Sequence, residues 1–309
     1  MTSVVVALDV GGTTVKCALV GPDGMVRHAE RHATGRDRGA DAIVGTVLGL
    51  ADDLCSTARA KGWEPRAVGV VVPGIVDEST GTAVWAANLG FRDVPLRSLV
   101  EKRAGLPAAL GHDVRGGGLA EARLGAGRGY RHVLVVPIGT GIAAAHVVDG
   151  TVFAGAHGAA GEIGHIVVRP DGPACPCGQR GCLEAIASAA SVGRRYARRA
   201  AAREGAATAE TVAALAAQGD PDAVAVWQEA VDALADGLLI GLALFDPEAV
   251  VVGGGLAEAG DGLLVPLRAA LRARLTFHRE PVLCKAALGD EAGCLGAALI
   301  ALDTLGEHA

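Results

Sequence analysis

The sequence carries no excess of positive charge: across 309 residues, 28 Lys and Arg face 34 Asp and Glu, a formal net charge of −6. A chain of that balance has no polybasic surface with which to neutralise phosphates, so neither nucleic acid nor an anionic membrane is an expected partner. Long hydrophobic runs are also missing. Half of the residues are hydrophobic, but the longest apolar stretches, 238–245 and 133–148, are short or broken by Gly, Pro and His. A membrane helix needs ~20 apolar residues. The opening MTSVVVALDVGG has no basic region ahead of its apolar residues, so it reads as the start of a strand and not as a secretory signal; a cytoplasmic protein is expected. No Gly-Lys dipeptide occurs, which rules out the P-loop GxxxxGK[ST]. No low-complexity linker separates one part of the chain from another.

Glycine is abundant instead. The 45 glycines are roughly twice the ~7% average and imply many tight turns or a backbone that closely approaches a ligand. A length of 309 residues suggests two domains or lobes at ~150 residues each. Ser3–Val10 and Thr14–Val20 are apolar runs around Gly11-Gly12 and read as a hairpin. The segment Val5–Val26 has a weak echo in Val133–Phe153: strand, Gly/Thr turn, strand, Asp-Gly turn, third strand. Gly11 falls on Gly139 and Thr13 on Gly141 at one common offset. Chance likeness between two glycine-rich hairpins is the alternative. Apolar spacing predicts helices over Asp41–Ala60, Leu183–Arg203, Pro221–Phe245, Leu263–Leu275 and Ala292–Leu305. Short buried strands are predicted at Val68–Val72, Ala108–Gly111 and Ala249–Val252. Strands alternating with helices make an α/β chain.

Three turns follow strands: Asp9 to Thr14, with Gly11, Gly12 and Thr13 at its centre; Gly139-Thr140-Gly141; and Gly253-Gly254-Gly255. Converging backbone N–H groups and Thr hydroxyls in such turns suit phosphate. Gly139-x-Gly141-x-x-Ala144 also matches the dinucleotide fingerprint, with Glu162 at a tempting distance, but the chain continues into an Asp-Gly hairpin where that motif needs a helix. Asp9 could hold Mg²⁺ through water or, alternatively, cap Gly11 in an Asx turn.

Seven cysteines are an odd number, and the set His165, Cys175, Cys177, Cys182 has the donor types of a tetrahedral structural zinc site; a redox pair is the competing reading. Asp113 ends an apolar strand, where α/β proteins place their chemistry, yet it could also cap a helix starting near Arg115. Glu162 and Glu184 flank the cysteine loop, although Glu184 could equally be a first-turn helix acid.

Taken together, DVGGT (Asp9–Thr13), VPGIVD (Val72–Asp77), ANLGF (Ala87–Phe91), His112-Asp113, PIGTGI (Pro137–Ile142), GEIGH (Gly161–His165), CPCGQRGCLE (Cys175–Glu184) and VVGGG (Val251–Gly255) resemble the ROK sugar kinases over nearly the whole chain. The resemblance implies an α/β, two-lobed, actin-like (ribonuclease H-like) fold with an interdomain cleft and a zinc loop. Residues 1–114 plus 293–309 would form the small lobe and 115–292 the large one. It implies an ATP-dependent hexose kinase acting on the 6-hydroxyl of glucose or an N-acetylglucosamine-like sugar. Asp113 would take the hydroxyl proton, and Gly74, Asn88, His112, Glu162, His165 and Glu184 would line the sugar side. Asp9, Gly11, Gly12, Thr13, Thr14, Lys16, Gly139, Thr140, Gly141, Gly253, Gly254 and Gly255 would serve ATP, with Mg²⁺ near Asp9. Structural Zn²⁺ would be held by His165, Cys175, Cys177 and Cys182, with one imidazole nitrogen on zinc and the other on sugar.

Two departures bear on the identity of the sugar. His112 stands where many members have Asn, and Ala143-Ala144-Ala145 replaces a run of glycines. A sugar-sensing protein without catalysis is the alternative function. Its DNA-binding form, with a helix-turn-helix ahead of the kinase-like region, is not expected with eight residues before Asp9. The resemblance also implies a homodimer or homotetramer. The Arg-rich segment Arg194–Arg203 reads as a solvated face.

Overall fold

The computed structural model describes residues 2–200 and 207–307. The chain opens with β1 (Thr2–Val10), β2 (Thr14–Val20) and β3 (Val26–Ala33), an antiparallel meander in which Asp9 lies opposite Lys16. Helix α1 (Ala40–Ala60) buries Ile43, Val47, Leu50 and Leu54, the spacing that predicted it. Strand β4 (Trp63–Val72) runs parallel to β1. A small antiparallel sheet follows, built from β5 (Ile75–Asp77), β6 (Thr82–Ala86) and β7 (Phe91–Val94), then α2 (Leu96–Ala104), β8 (Ala108–His112) and α3 (Asp113–Arg123).

The next elements are β9 (His132–Pro137), β10 (Ala145–Val148), β11 (Thr151–Val152), α4 (Leu183–Ala187), α5 (Ala189–Arg199), α6 (Ala209–Ala217), α7 (Pro221–Phe245), β12 (Ala249–Gly253), α8 (Asp261–Arg272) and β13 (Val282–Lys285). Helix α9 (Ala292–Thr304) closes the chain. Two compact units result. One comprises Met1–Leu124, Ala154–Ala160 and Asp290–Ala309; the other comprises Gly125–Phe153 and Gly161–Gly289.

The first unit's five-stranded sheet has the order β3-β2-β1-β4-β8, and the second unit's has β11-β10-β9-β12-β13. Pair by pair, both run antiparallel, antiparallel, parallel, parallel. The echo between 5–26 and 133–153 is therefore a topological repeat. Each unit has its own apolar core. In the first it lies between α1 and the sheet; in the second α7 runs through it, burying Val226, Val231, Leu234, Leu238 and Leu242.

The expected boundary at 114 and the division at Leu124 differ by the length of α3. This helix packs on α9 with backbone close to backbone, so that a Cβ on Gly296 would lie 2.2 Å from Gly116 C. Only glycine permits that approach.

The single helix expected over Leu183–Arg203 is two. Ser188 is extended, and its hydroxyl accepts from Ser191 N (3.1 Å), capping α5 in place of continuing α4. Positions 201–203 of that expectation, also part of the Arg-rich segment, lie outside the described residues. The sheet β5–β7 and helices α2 and α6 carry no strong periodicity and were not anticipated. Among the described residues no helix is long and apolar enough to cross a membrane.

Candidate active site

In the first unit, the candidate residues gather at the carboxyl ends of β1 and β8. Asp9 is the penultimate residue of β1. Burial pushes its carboxyl up to about 6; Lys16 opposes that shift, and the charges of Asp113 and Asp290 reinforce it. Lys16 Nζ lies 3.8 Å from Asp9 Oδ2 and 3.0 Å from Asp290 Oδ1, and Arg31 Nη1 is 2.9 Å from Asp290 Oδ2. Lys16 is thus committed to an acid pair, and the Lys16 and Arg31 contacts hold the Asp290 carboxyl below its ordinary range. The Asx-turn alternative for Asp9 fails, because Gly11 N already donates to Thr14 O (2.9 Å). Fully buried Thr34 pins the turn: its Oγ1 donates to Gly11 O (2.7 Å) and its N to Thr13 O (3.0 Å). The side chain of Asn88 lies against Gly12. Gly74 (φ 99°) carries its backbone against Trp85 O in the small sheet.

Asp113 begins α3 directly after β8. Its Oδ1 accepts from Val114 N (2.7 Å) and lies 3.5 Å from His112 Nδ1; His112 is buried. Asp113 is the first helical residue and not a cap further upstream. Two residues on, buried Arg115 donates from Nε to Glu78 Oε1 (2.9 Å) and from Nη1 to Gly158 O (2.8 Å), which fastens residues 154–160 to this unit. Sequence patterns gave no sign of Thr34, Arg115 or Asp290, since single polar residues outside a motif leave no periodic signal.

In the second unit, β9 and β12 are parallel neighbours, with Gly253 opposite Pro137, so the turns Gly139-Thr140-Gly141 and Gly253-Gly254-Gly255 leave the same sheet edge. Ile138 N donates to Gly253 O (2.8 Å) and Leu256 N to Ile138 O (3.0 Å). Gly254 (φ 76°) lies so near Ile138 that a Cβ would be 2.6 Å from its carbonyl carbon. Behind Gly255 opens a cavity of about 710 Å³ lined mainly by apolar groups, among them Ala213, Trp227, Leu256 and Gly262. Trp227 Nε1 donates to Gly262 O (3.0 Å), fixing the indole in that wall. These lining residues belong to α6, α7 and α8 and the turn after β12, so no local motif could have shown them.

Glu184 is a first-turn residue of α4, and it also reaches across to accept from Ile142 N (2.9 Å) with Oε2. Ala189 N donates to Gly139 O (2.9 Å). The helices after the cysteine loop therefore brace the Gly139–Gly141 turn. Glu162 precedes a single 3₁₀ turn, Ile163–His165.

His165 and Cys175, Cys177 and Cys182 come together, with their four donor atoms all within 4.8 Å of one another. His165 Nδ1 faces Cys175 Sγ at 3.7 Å, and Cys177 Sγ lies 3.6 Å from Cys182 Sγ. Nε2 of the same imidazole points to Glu162 Oε2 at 4.0 Å. Burial pushes Cys182 up to about 12, whereas the Gln179 backbone N–H draws Cys177 down to about 7. Three sulfurs and one ring nitrogen at this spacing fit a tetrahedral Zn²⁺.

The ROK family sequence profile matches residues 5–304. A glucokinase of Thermotoga maritima is 33% identical, over 97% of this chain and 98% of its own. A ROK hexokinase from Thermus thermophilus superposes with a TM-score of 0.87 at 32% identity, covering 98% of this chain and 99% of that one. A ROK family glucokinase from Streptomyces griseus, solved with glucose and AMPPNP, does so with a TM-score of 0.81 at 31% identity, covering 97% and 99%.

Proposed function

The chain belongs to the ROK family, and from that premise we propose that it is an ATP-dependent hexose kinase, moving the γ-phosphate of ATP to the 6-hydroxyl of glucose or an N-acetylglucosamine-like sugar. The observation that carries the reading is the place of Asp113. It opens α3 at the carboxyl end of β8, in the sheet whose β1 carries Asp9, and its charge acts on Asp9.

In the reaction, the Asp113 carboxylate accepts the 6-hydroxyl proton as the hydroxyl oxygen bonds to the γ-phosphorus and the bond from that phosphorus to ADP breaks. The transition state is loose, so alignment and charge neutralisation dominate the rate, while a positioned base contributes ~10²–10⁴-fold. The groups suited to the remaining sugar hydroxyls are His112, Asn88 and the Gly74 backbone in the first unit, and Glu162, His165 and Glu184 in the second. The buried Asp9 would hold Mg²⁺ through water, and the ion would supply neutralisation of phosphate charge. The turn amides of Gly11–Thr14 in the first unit, and those of Gly139–Gly141 and Gly253–Gly255 in the second, are each suited to phosphate, and the second unit's cavity beside Gly255 and Trp227 suits the adenosine. His165, Cys175, Cys177 and Cys182 would hold Zn²⁺, which would fix the imidazole tautomer and leave Nε2 to a sugar hydroxyl.

The test is ADP release from Mg·ATP with glucose, N-acetylglucosamine, N-acetylmannosamine, mannose, fructose and allose, run beside Asp113→Asn. Turnover on one sugar, abolished by the substitution, is expected. Sugar binding by calorimetry with no turnover on any of them replaces the kinase with a sugar sensor.

A further inference from the structure

Outside the site described above, a second group of metal-ligating side chains lies on the β2–β3 ribbon of the first unit. Strand alternation sends every second residue to one face, so His28, Glu30 and His32 on β3 share a face. The cross-strand register places Cys17 directly opposite Glu30 and Lys16 opposite Arg31. The two cations therefore project from the other face. The Glu30 carboxylate already meets both imidazoles, with Oε1 3.1 Å from His32 Nε2 and Oε2 3.5 Å from His28 Nε2. The donor atoms of Cys17, Glu30 and His32 all lie within 4.8 Å of one another.

We infer that Cys17, Glu30 and His32 form a second metal site, selective for a borderline divalent cation such as Zn²⁺. The donor set decides the class: a thiolate, an imidazole and a carboxylate suit Zn²⁺, whereas Mg²⁺ and Ca²⁺ want oxygen alone. Three protein ligands leave one tetrahedral position for water. His28, on the far carboxylate oxygen, orients Glu30 from outside the ligand set, as partners of metal-bound carboxylates commonly do. Accessibility also fits a site that exchanges metal. Cys17 is buried at the floor, while the side chains of Glu30 and His32 are 32% and 41% exposed, so the ion can enter from solvent.

The experiment is zinc stoichiometry of the full chain. Protein stripped with chelator and reloaded by dialysis against Zn²⁺ is compared with His32→Ala and Glu30→Gln. Both positions are partly exposed, and unchanged circular dichroism establishes that the variants fold. Wild type is expected to hold one zinc per chain more than either variant, whatever the His165 and Cys175–Cys182 cluster takes up. Cobalt loading gives the second readout: the spectrum of wild type minus that of His32→Ala is expected to carry a thiolate-to-cobalt charge-transfer band from Cys17. Equal zinc content in wild type and variants overturns the site. A difference spectrum without a thiolate band removes Cys17 and overturns it as well. Neither readout depends on turnover, so failure here leaves the kinase reading untouched, and the reverse holds too.

Discussion

The two five-stranded sheets share strand order and strand direction, but their first hairpins end differently. At the offset that aligns Gly11 with Gly139, Asp9 aligns with Pro137. The first sheet thus delivers a buried carboxylate to its turn, held in a web with Lys16, Asp290 and Arg31. The second delivers no charge of its own at that place. Its turn is braced from outside by Glu184 on Ile142 N and by Ala189 N on Gly139 O, both supplied by the helices that follow the cysteine loop. One topology therefore carries two kinds of strand end: a buried carboxylate where the residue is Asp, and a turn braced by neighbouring helices where it is Pro. Fold places a strand end; the residue at that end decides what it does.

The largest expected asymmetry is metal dependence. Structural zinc contributes on the order of 10 kcal/mol of apparent free energy, and in this chain all four donors of the loop are in the second unit. Cys182→Ser is expected to lower the melting temperature of the second unit's transition in calorimetry and to expose its loop to proteases, with the first unit's β1–β4 amides keeping their hydrogen-exchange protection. Equal loss of protection in both units would break the comparison.

Next in size is Asp113→Asn. It should cut kcat by ~10²–10⁴ with little change in folding, because the side chain is partly exposed and its contacts to Val114 N and His112 Nδ1 are to its neighbours in sequence. Full turnover in the variant removes Asp113 from the chemistry.

The Asp9 web predicts a pH effect confined to the first unit. Asp9 ionises near 3.8 when unfolded and near 6 when folded. Between those values the folded chain keeps a proton that the unfolded chain has lost, so stability falls as pH rises through the window, by roughly 3 kcal/mol in all. Denaturant titrations from pH 4 to pH 6.5 should show that fall in wild type and not in Asp9→Asn. Since Mg²⁺ needs the ionised form, the KM for Mg·ATP should rise as pH drops below 6. A flat stability profile in wild type would show that Asp9 is not buried in the sense described.

The smallest effect is expected at Ser188. Ser188→Ala removes the cap of α5 and should cost about 1 kcal/mol and loosen the Gly139 turn through Ala189, read as a modest rise in the KM for ATP. No change in either quantity would detach that helix start from the cradle.

Much of the fold was legible because burial imposes periodicity. The helix over Pro221–Phe245 was read to its residue limits, since Asp220 caps it, Pro221 begins it and its apolar stripe is long. Leu183–Arg203 was misread because one serine that switches from filling a helix to capping the next leaves the apolar spacing nearly unchanged. The metal loop was legible for another reason: Cys and His donors at close spacing constrain their own geometry, and the four donors do converge.

Thr34, Arg115 and Asp290 act across 21 to 274 positions of sequence, and no local pattern encodes such reach. The sequence by itself determined the α/β alternation, the repeated hairpin, the family resemblance and the ligand loop, because each follows from periodicity or from close spacing along the chain. Tertiary structure alone decided that Lys16 is occupied by two carboxylates, that Asp9 holds its proton to about 6, that Glu184 braces a turn 42 positions away, and that Cys17 and Glu30 meet across two strands. Each of those depends on desolvation or on distance between side chains far apart in sequence, and both are set only when the chain has packed.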